Sequence, residues 1–164
     1  MASTEKKESI GAARALMAQT RSGALGSINQ DGSPLVTLVA IAIMEDGAPL
    51  LLLSRIAAHT QNILREPHAS LLIEGTSDGP DPMTAPRLSL GGKVLALDDA
   101  EIANAKARFL EKHPGSEPYD TELDFNYYRL AIESARFNQG FGRFRKLSKT
   151  DILRSLGSPE EKTN

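Results

Sequence analysis

The chain has 164 residues, of which 40% are hydrophobic and 24% are charged, proportions typical of a single soluble globular domain. Its 19 Lys and Arg residues against 21 Asp and Glu residues give a formal net charge of −2, so no broad cationic surface favours nucleic acid or an acidic membrane. The sequence contains no cysteine, which excludes disulfides, thiolate nucleophiles and cysteine-ligated metals. It also shows neither a signal-peptide pattern nor an apolar run of membrane-spanning length, and we therefore expect a cytoplasmic protein.

The N-terminal part of the chain predicts one helix. Residues 1–9 are polar and charged, which predicts a flexible N-terminus. The apolar residues that follow recur at helical spacing: Ile10, Ala13, Leu16 and Met17. This pattern predicts a helix that ends near Gly23. Because no linker-like or repeated segment interrupts the rest of the chain, we expect one domain over residues 10–157 and a flexible tail over 158–164.

Three strands are predicted next, over residues 24–28, 34–44 and 49–54. An Asp-Gly pair lies in each gap between them, and Asp-Gly between two apolar runs is a strong signal for a β-hairpin. The three strands should therefore form an antiparallel meander. Their apolar runs are too continuous for a sheet with one wet face, so we expect a barrel interior on one face and helices or a second subunit on the other.

The middle of the chain predicts a short helix and two further strands. Ser54 is placed to cap the helix and Pro67 to end it. The strands are predicted over residues 68–75 and 87–98, separated by a proline-rich loop over 76–86.

The C-terminal part contains the most clearly bounded helix. Asp98 and Glu101 have the spacing of a capping box, and the apolar helical face continues to His113. A loop leads to a strand over 125–137 whose alternate residues sort onto opposite faces, and residues 147–157 predict a short amphipathic helix. Six or seven strands with at most four helices predict a mainly β, α+β protein, built as an antiparallel barrel with peripheral helices.

One segment combines side chains suited to binding an anion. From Ser54 to Asn62, where a strand opens into a helix, the chain carries the guanidinium of Arg55, the imidazole of His59 and the hydroxyl of Thr60. Free backbone N–H groups at such a junction favour phosphate. Alternatively, Ser54 only caps the helix, and Arg55, His59 and Asn62 form its solvated face.

A second basic pair, Arg87 and Lys93, lies on a later predicted strand. These side chains could equally occupy the outer face of a barrel. The three histidines do not have the spacing of metal ligands on one helical face, so no metal site is predicted.

Three segments follow one another in an informative order: DGSPLVTLVAI, LLLLSRIAAHTQNILREPHASLLI and PRLSLGGKV. This order resembles the FMN-binding split-barrel superfamily typified by pyridoxamine 5'-phosphate oxidase. The later segment DFNYYRLAIESARFNQGFGRF resembles the haem-utilisation branch of that superfamily. The resemblance covers roughly residues 10–147. It implies a split β-barrel and a homodimer that binds two FMN molecules at its interface.

The resemblance also implies which residues contact the flavin. The strand through Thr37, Val39 and Ala40 would pass beside the isoalloxazine ring. The ribityl phosphate would lie near a strand end and the helix after it: Ser54, Arg55, His59, Thr60 and Asn62. Other contacts would come from later segments: Arg87 from the second subunit, Lys93 as compensating charge, and the turn Gly140, Phe141 and Gly142 near the ring.

Four positions depart from the oxidase pattern. This chain has uncharged residues or a histidine where the oxidase has basic residues: Thr37, Ala42, Ala58 and His59. Each lost charge-assisted hydrogen bond is worth about 1.5–3 kcal/mol, so the phosphate would be held less firmly. True pyridoxamine phosphate oxidation is therefore not expected.

Three functions are compatible with these features. The first is an FMN-dependent oxidoreductase of unknown substrate, in which F420 could replace FMN; no catalytic residue is assigned, and His59 is the best acid–base candidate. The second is a haem-binding or haem-degrading protein. Its candidate iron ligands are His59, His68, His113, Tyr127 and Tyr128. The third is a split barrel that has lost its cofactor and acts as an interaction module.

Overall fold

The computed structural model describes residues 3–122 and 124–154. Within them the chain forms five α-helices: α1 (Thr4–Gln19), α2 (Ala58–Arg65), α3 (Asp99–Lys112), α4 (Glu117–Glu122) and α5 (Lys149–Ile152). It also forms seven β-strands: β1 (Ser22–Ile28), β2 (Pro34–Ile43), β3 (Pro49–Ser54), β4 (His68–Glu74), β5 (Arg87–Ala96), β6 (Phe125–Asn138) and β7 (Phe144–Leu147).

Six of the strands close into an antiparallel barrel. Their order is β3-β2-β1-β4-β5-β6, and pairing of β3 with β6 closes the ring, while β7 adds to β6 outside it. β1, β2 and β3 form the predicted antiparallel meander. Gly32 and Gly47 occupy its two turns at φ values of +84° and +90°, a left-handed conformation that favours glycine. The predicted mainly β, α+β barrel with peripheral helices is confirmed.

The barrel strands bury apolar residues on two sides. The interior contains fully buried side chains from several strands: Leu25, Ile41, Leu51, Leu71, Leu88 and Leu130. A second apolar cluster lies between α3 and the outer face of β3 and β6, and it includes Leu50, Phe109 and Tyr127. This second layer explains why β3 is a continuous apolar run, since its alternate leucines pack into different clusters.

The outer face of β2 differs along the strand, because Ala42 is buried in the second cluster whereas the residues before it on this face are exposed. Val36 is 68% exposed and Leu38 is 78% exposed. Leu38 lies opposite Ala24 of β1, which in turn lies opposite Leu72 of β4, so an apolar row crosses three strands. Within the described residues, α3 therefore supplies the predicted cover at β3 and no helix supplies it along this part of β2, where cover by a second subunit stays a prediction.

Two helix starts differ from the sequence predictions. α1 begins at Thr4, where the Ser3 Oγ accepts a hydrogen bond from the Lys6 backbone N–H at 3.3 Å. α1 therefore includes residues 4–9, which were predicted to precede the helix, and the flexibility of this segment stays a prediction. α2 begins after Ala57, which provides no side-chain cap, and Ser54 is the last residue of β3, so the prediction that Ser54 caps this helix was wrong.

The C-terminal elements agree in part with the predictions. The predicted capping box of α3 is confirmed, with the Glu101 carboxylate accepting from the Asp98 backbone N–H at 3.3 Å. α4 lies in a segment predicted as a loop, and β7 was not assigned as a separate strand. The helix predicted over 147–157 is limited to the four residues of α5; residues 155–157 and the predicted tail 158–164 lie outside the described residues. Among the described helices, none combines the length and the apolar character that a bilayer crossing requires.

Candidate functional site

A cleft of about 300 Å³ lies on the outer side of the barrel, where β2, β3 and the start of α2 meet. Val39 and Ala40 line it from β2, Ser54 from the end of β3, and His59 from the first turn of α2. The structure therefore brings four of the predicted cofactor-binding residues to one place. The cleft is formed there because β3 ends at Ser54 and the chain turns into α2 without covering β2.

His59 is the titratable side chain of this cleft. Its Nδ1 lies 3.1 Å from the Oγ1 of Thr37, which comes from the neighbouring β2 strand. Partial burial of the imidazole lowers the pKa of His59 below its ordinary value, because the charged form loses hydration. The ring is therefore neutral at pH 7. A threonine hydroxyl can either donate or accept, so this bond suits both tautomers and leaves Nε2 without a hydrogen-bond partner among the described residues.

Aromatic residues form the opposite wall of the cleft. Phe109 comes from α3, while Tyr119 and Phe125 come from α4 and the start of β6, with their ring centroids 5.4 Å apart. Apart from His59, the polar side chains in the cleft are the small hydroxyls of Ser54 and Ser116, together with Tyr119. Such a lining is suited to a flat, largely apolar ligand.

These aromatic residues were not among the predicted site residues. Phe109 has a sequence signal, since it lies on the apolar face of α3. Tyr119 and Phe125 have none, because they lie in or beside a segment whose path depends on tertiary packing.

The residues predicted to hold a phosphate point to different places. Arg55 is exposed, and its Nε forms an ion pair with Asp124 Oδ1 at 3.1 Å. Asn62 is buried, and its amide donates to Ser27 Oγ at 3.0 Å and to Asn29 Oδ1 at 2.9 Å, which fastens α2 to β1. Thr60 is fully buried. The alternative prediction, a solvated helix face, is therefore wrong for Asn62, while Arg55 is solvated but lies in the turn before α2.

Arg87 and Lys93 lie away from the lining of this cleft. Arg87 Nη1 donates to the backbone oxygens of Met83 and Ala85, at 3.0 and 3.2 Å, and so fastens the short turn before β5. Lys93 lies on β5 opposite His68 of β4. Both cations thus lie outside the cleft of their own chain, and the contact of Arg87 with a flavin of the second subunit stays a prediction.

The Gly-Phe-Gly segment forms the turn between β6 and β7. Gly140 and Gly142 have φ values of +129° and +77°, and a Cβ on Gly140 would lie 3.1 Å from the Thr84 carbonyl oxygen. Phe141 between them is 82% exposed. Gly142 borders a separate cavity of about 460 Å³ beside the start of α1. The glycines are thus explained by the turn itself.

The other predicted haem ligands are engaged elsewhere. His113 is buried, and its Nε2 lies 2.7 Å from the Ile41 carbonyl oxygen. His68 pairs with the Glu66 carboxylate, and Tyr127 and Tyr128 are buried in the two apolar clusters. Within residues 3–122 and 124–154, no group of three or more His, Asp or Glu side chains is placed to hold a metal ion.

The comparisons with known proteins agree with this architecture. The family model described as "CREG, beta-barrel" matches residues 4–152. The non-canonical heme oxygenase HOZ, chloroplastic, of Arabidopsis thaliana is 31% identical over 120 residues, which are 72% of this chain and 36% of that protein. The chain thus spans about a third of the length of this plant relative.

Two solved structures illustrate the range of similar proteins. A heme binding protein from Mycobacterium smegmatis superposes with a TM-score of 0.83 at 26% identity, covering 93% of this chain and 61% of the other. A pyridoxinephosphate oxidase family protein from Clostridium acetobutylicum, related to general stress protein 26, has a TM-score of 0.69 at 13% identity and covers 89% of this chain and 98% of the other. The second similarity concerns the fold alone.

Proposed function

Since the chain belongs to the CREG beta-barrel family, within the split-barrel proteins related to pyridoxamine 5'-phosphate oxidase, we propose that it binds haem in the cleft around His59. The observation that carries the proposal is His59 itself. Of the three histidines, it is the one whose neutral imidazole borders an apolar cleft with a ring nitrogen free to bind iron.

The residues of the cleft fit a haem group in their chemistry, with one imidazole donor in an otherwise mainly apolar and aromatic lining. Iron requires a neutral imidazole, and burial keeps His59 in that form. The Thr37 hydroxyl holds Nδ1 and so restricts rotation of the ring, as partners of metal-binding histidines generally do. A porphyrin is larger than this cleft, and the exposed Leu38 and Val36 continue the apolar surface outward along β2.

When bound, haem would supply redox and oxygen chemistry, and the protein would control access to it. His59 would hold the group through its free ring nitrogen, and the apolar wall of Phe109 and Phe125 would exclude water from one side. The names of the plant and mycobacterial relatives, a heme oxygenase and a heme binding protein, support this assignment. Because the plant relative is named a heme oxygenase, we extend the proposal to haem-degrading oxidoreductase activity.

We also propose that two copies of the chain form a homodimer through the outer face of β2. Val36, Leu38 and Leu72 would lose exposed apolar surface in such a pairing. Sedimentation analysis should give a dimer, and Leu72→Lys, outside the lining of the haem cleft, should shift it to monomer because the lysine would place a charge in the apolar contact. A wild-type monomer at micromolar concentration would contradict the dimer.

The haem proposal is tested by titrating the protein with haemin and recording absorption spectra. A saturable Soret band near one haem per subunit is expected. His59→Ala should shift this band and weaken affinity, and Thr37→Val should weaken affinity about tenfold, as loss of a partner of a metal-binding histidine typically does. His68→Ala is the matched control, because His68 is exposed and paired with Glu66 outside the cleft. Identical spectra for wild type, His59→Ala and His68→Ala would overturn the assignment.

The second candidate is an FMN-dependent oxidoreductase of unknown substrate. It is supported by the backbone of Val39 and Ala40 along the cleft and by the shared split-barrel fold. In the described chain, however, Arg55 is paired with Asp124 and Asn62 with Ser27 and Asn29, so a phosphate at this junction would have to replace these contacts. Saturable FMN uptake near one per subunit, weakened by Arg55→Ala, would favour this function over haem binding. No saturation with either cofactor would favour the interaction module.

A further inference from the structure

Three guanidinium groups surround a second cavity, which does not share its lining with the candidate haem cleft. The cavity has a volume of about 300 Å³. Arg14 reaches it from α1, Arg108 from α3, and Arg154 from the segment after α5. Its floor is apolar, with the buried side chains of Met17 and Ile152. No residue is common to this lining and that of the haem cleft.

These three arginines lack the carboxylate partners that several other arginines of the protein have. Arg14 donates only to backbone oxygens, from Nε to Ile152 at 3.2 Å and from Nη2 to Leu153 at 3.0 Å. Arg108 donates to Asn104 Oδ1 at 3.3 Å and to the Ile43 carbonyl oxygen at 3.5 Å. Within the described residues, none of the three guanidiniums forms an ion pair, and several of their N–H donors remain unused.

The nearby carboxylates offset the positive charge of the cluster only in part, with Asp151 acting to raise the pKa of Arg14 against the two larger causes that lower it. Glu45 is the one carboxylate that lines this cavity in the described part of the chain. Asp46 beside it pairs with Arg129, and Asp151 pairs with Lys6 at 3.2 Å. The pKa of Arg14 is lowered from its usual value, first by burial and next by the positive charge of Arg154. The positive charges therefore oppose one another in the absence of an anion.

The basic surface continues beyond this cavity. Arg108 also lines an adjoining cavity of about 380 Å³, together with Lys112 and Glu111. Burial, and then the charge of Arg21, lower the pKa of Lys112, which donates from Nζ to the Ala18 carbonyl oxygen at 2.9 Å. Since Arg108 lines both cavities, an anion with two charged groups could contact it in each of them.

We propose that this tri-arginine cavity, defined by Arg14, Arg108 and Arg154, binds the phosphate or diphosphate group of a small molecule. Planar guanidinium groups with free N–H donors match phosphate oxygens in geometry and charge. The buried apolar floor would contact the uncharged part of such a ligand. The site is separate from haem binding, and neither proposal depends on the other.

The probe for this site is inorganic pyrophosphate, and the measurement is isothermal titration calorimetry at low and at physiological ionic strength. Saturable binding near one per subunit is expected, with lower affinity at higher salt. Arg108→Gln and Arg154→Gln should each weaken affinity about tenfold or more, since each removes a charge-assisted interaction. Arg136→Gln, at an exposed position of β6 outside this cavity, is the matched control and should bind as wild type does.

Arg14 is not used in the test, because it fastens the backbone of Ile152 and Leu153 and its loss would perturb the fold. Equal weakening by all three substitutions would overturn the site, since it would indicate a diffuse charge effect. Absence of saturable binding to wild type would overturn it as well. Binding measured before and after haemin loading separates the outcomes, because failure at this cavity leaves the Soret titration unchanged.

Discussion

Thr60 allows the energetic cost of a buried polar group without a hydrogen bond to be measured. The side chain lies in α2 with 0% exposure, and its Oγ1 has no hydrogen-bond partner among the residues that the structure describes. A buried hydroxyl without a partner costs about 1–3 kcal/mol relative to its hydrated state in the unfolded chain. Valine has nearly the same shape and is also β-branched, so Thr60→Val removes this cost with little change in packing or helix propensity.

Thr60→Val should therefore raise the free energy of unfolding by about 1–3 kcal/mol. For a chain of this size each kcal/mol corresponds to about 2–4 °C in Tm. Urea unfolding followed by circular dichroism, without added cofactor, measures the difference. Thr37→Val is the matched control: the Thr37 hydroxyl is bonded to His59, so that substitution should give no gain. A loss of stability in Thr60→Val would refute the reasoning, because it would show that the hydroxyl is satisfied in the folded protein.

Three further outcomes are expected. Because the pKa of His59 is lowered in the folded state, the unfolded state binds the proton more tightly, and stability should fall as the pH drops below about 6.5. Urea unfolding midpoints measured across this pH range should depend less on pH in His59→Gln than in wild type. Arg129→Met should lower the free energy of unfolding in urea by about 1–3 kcal/mol, since it leaves two partly buried carboxylates unpaired; an unchanged midpoint would contradict this. Gly92→Ala should abolish folding or lower Tm by more than 10 °C, a loss of about 4 kcal/mol or more in the free energy of unfolding, because the added Cβ would lie 2.0 Å from the Ala131 carbonyl oxygen. Gly79→Ala is the control: its added Cβ meets no atom within 4 Å, so this variant should unfold like wild type.

The strands were predictable where a local rule determines the backbone. The Asp-Gly pairs located both hairpins of the meander, because Gly32 and Gly47 adopt the positive φ that such turns require. The Asp98 and Glu101 pair located the start of α3 for a similar reason, since the capping bonds form within one turn. In each case the stabilising interaction lies within a few residues of the signal.

The candidate site was predictable only in part. Its location was given by the resemblance at Val39, Ala40, Ser54 and His59, and these four residues do line one cleft. Whether a helical side chain points inward or outward depends on tertiary packing, however. Asn62 turns inward because its amide satisfies two polar groups on and beside β1, a contact across more than 30 residues that no local pattern shows.

The same limit explains why the second cavity had no sequence signal. Its arginines belong to three elements that are far apart in the chain, and their convergence depends on α1 and α5 meeting beside the second hairpin. Each arginine alone has the appearance of a solvated surface cation.

Closure of the barrel has a consequence for synthesis of the chain. β3 pairs with β2 on one side and with β6 on the other. Leu50 therefore has no backbone partner on its second side until Arg129 of β6 has been synthesised. During translation the four consecutive leucines of β3 form an unprotected sheet edge until β6 has left the ribosome. A nascent chain stalled before residue 125 should therefore be prone to intermolecular strand pairing, and a chaperone that shields apolar edges would act in that interval.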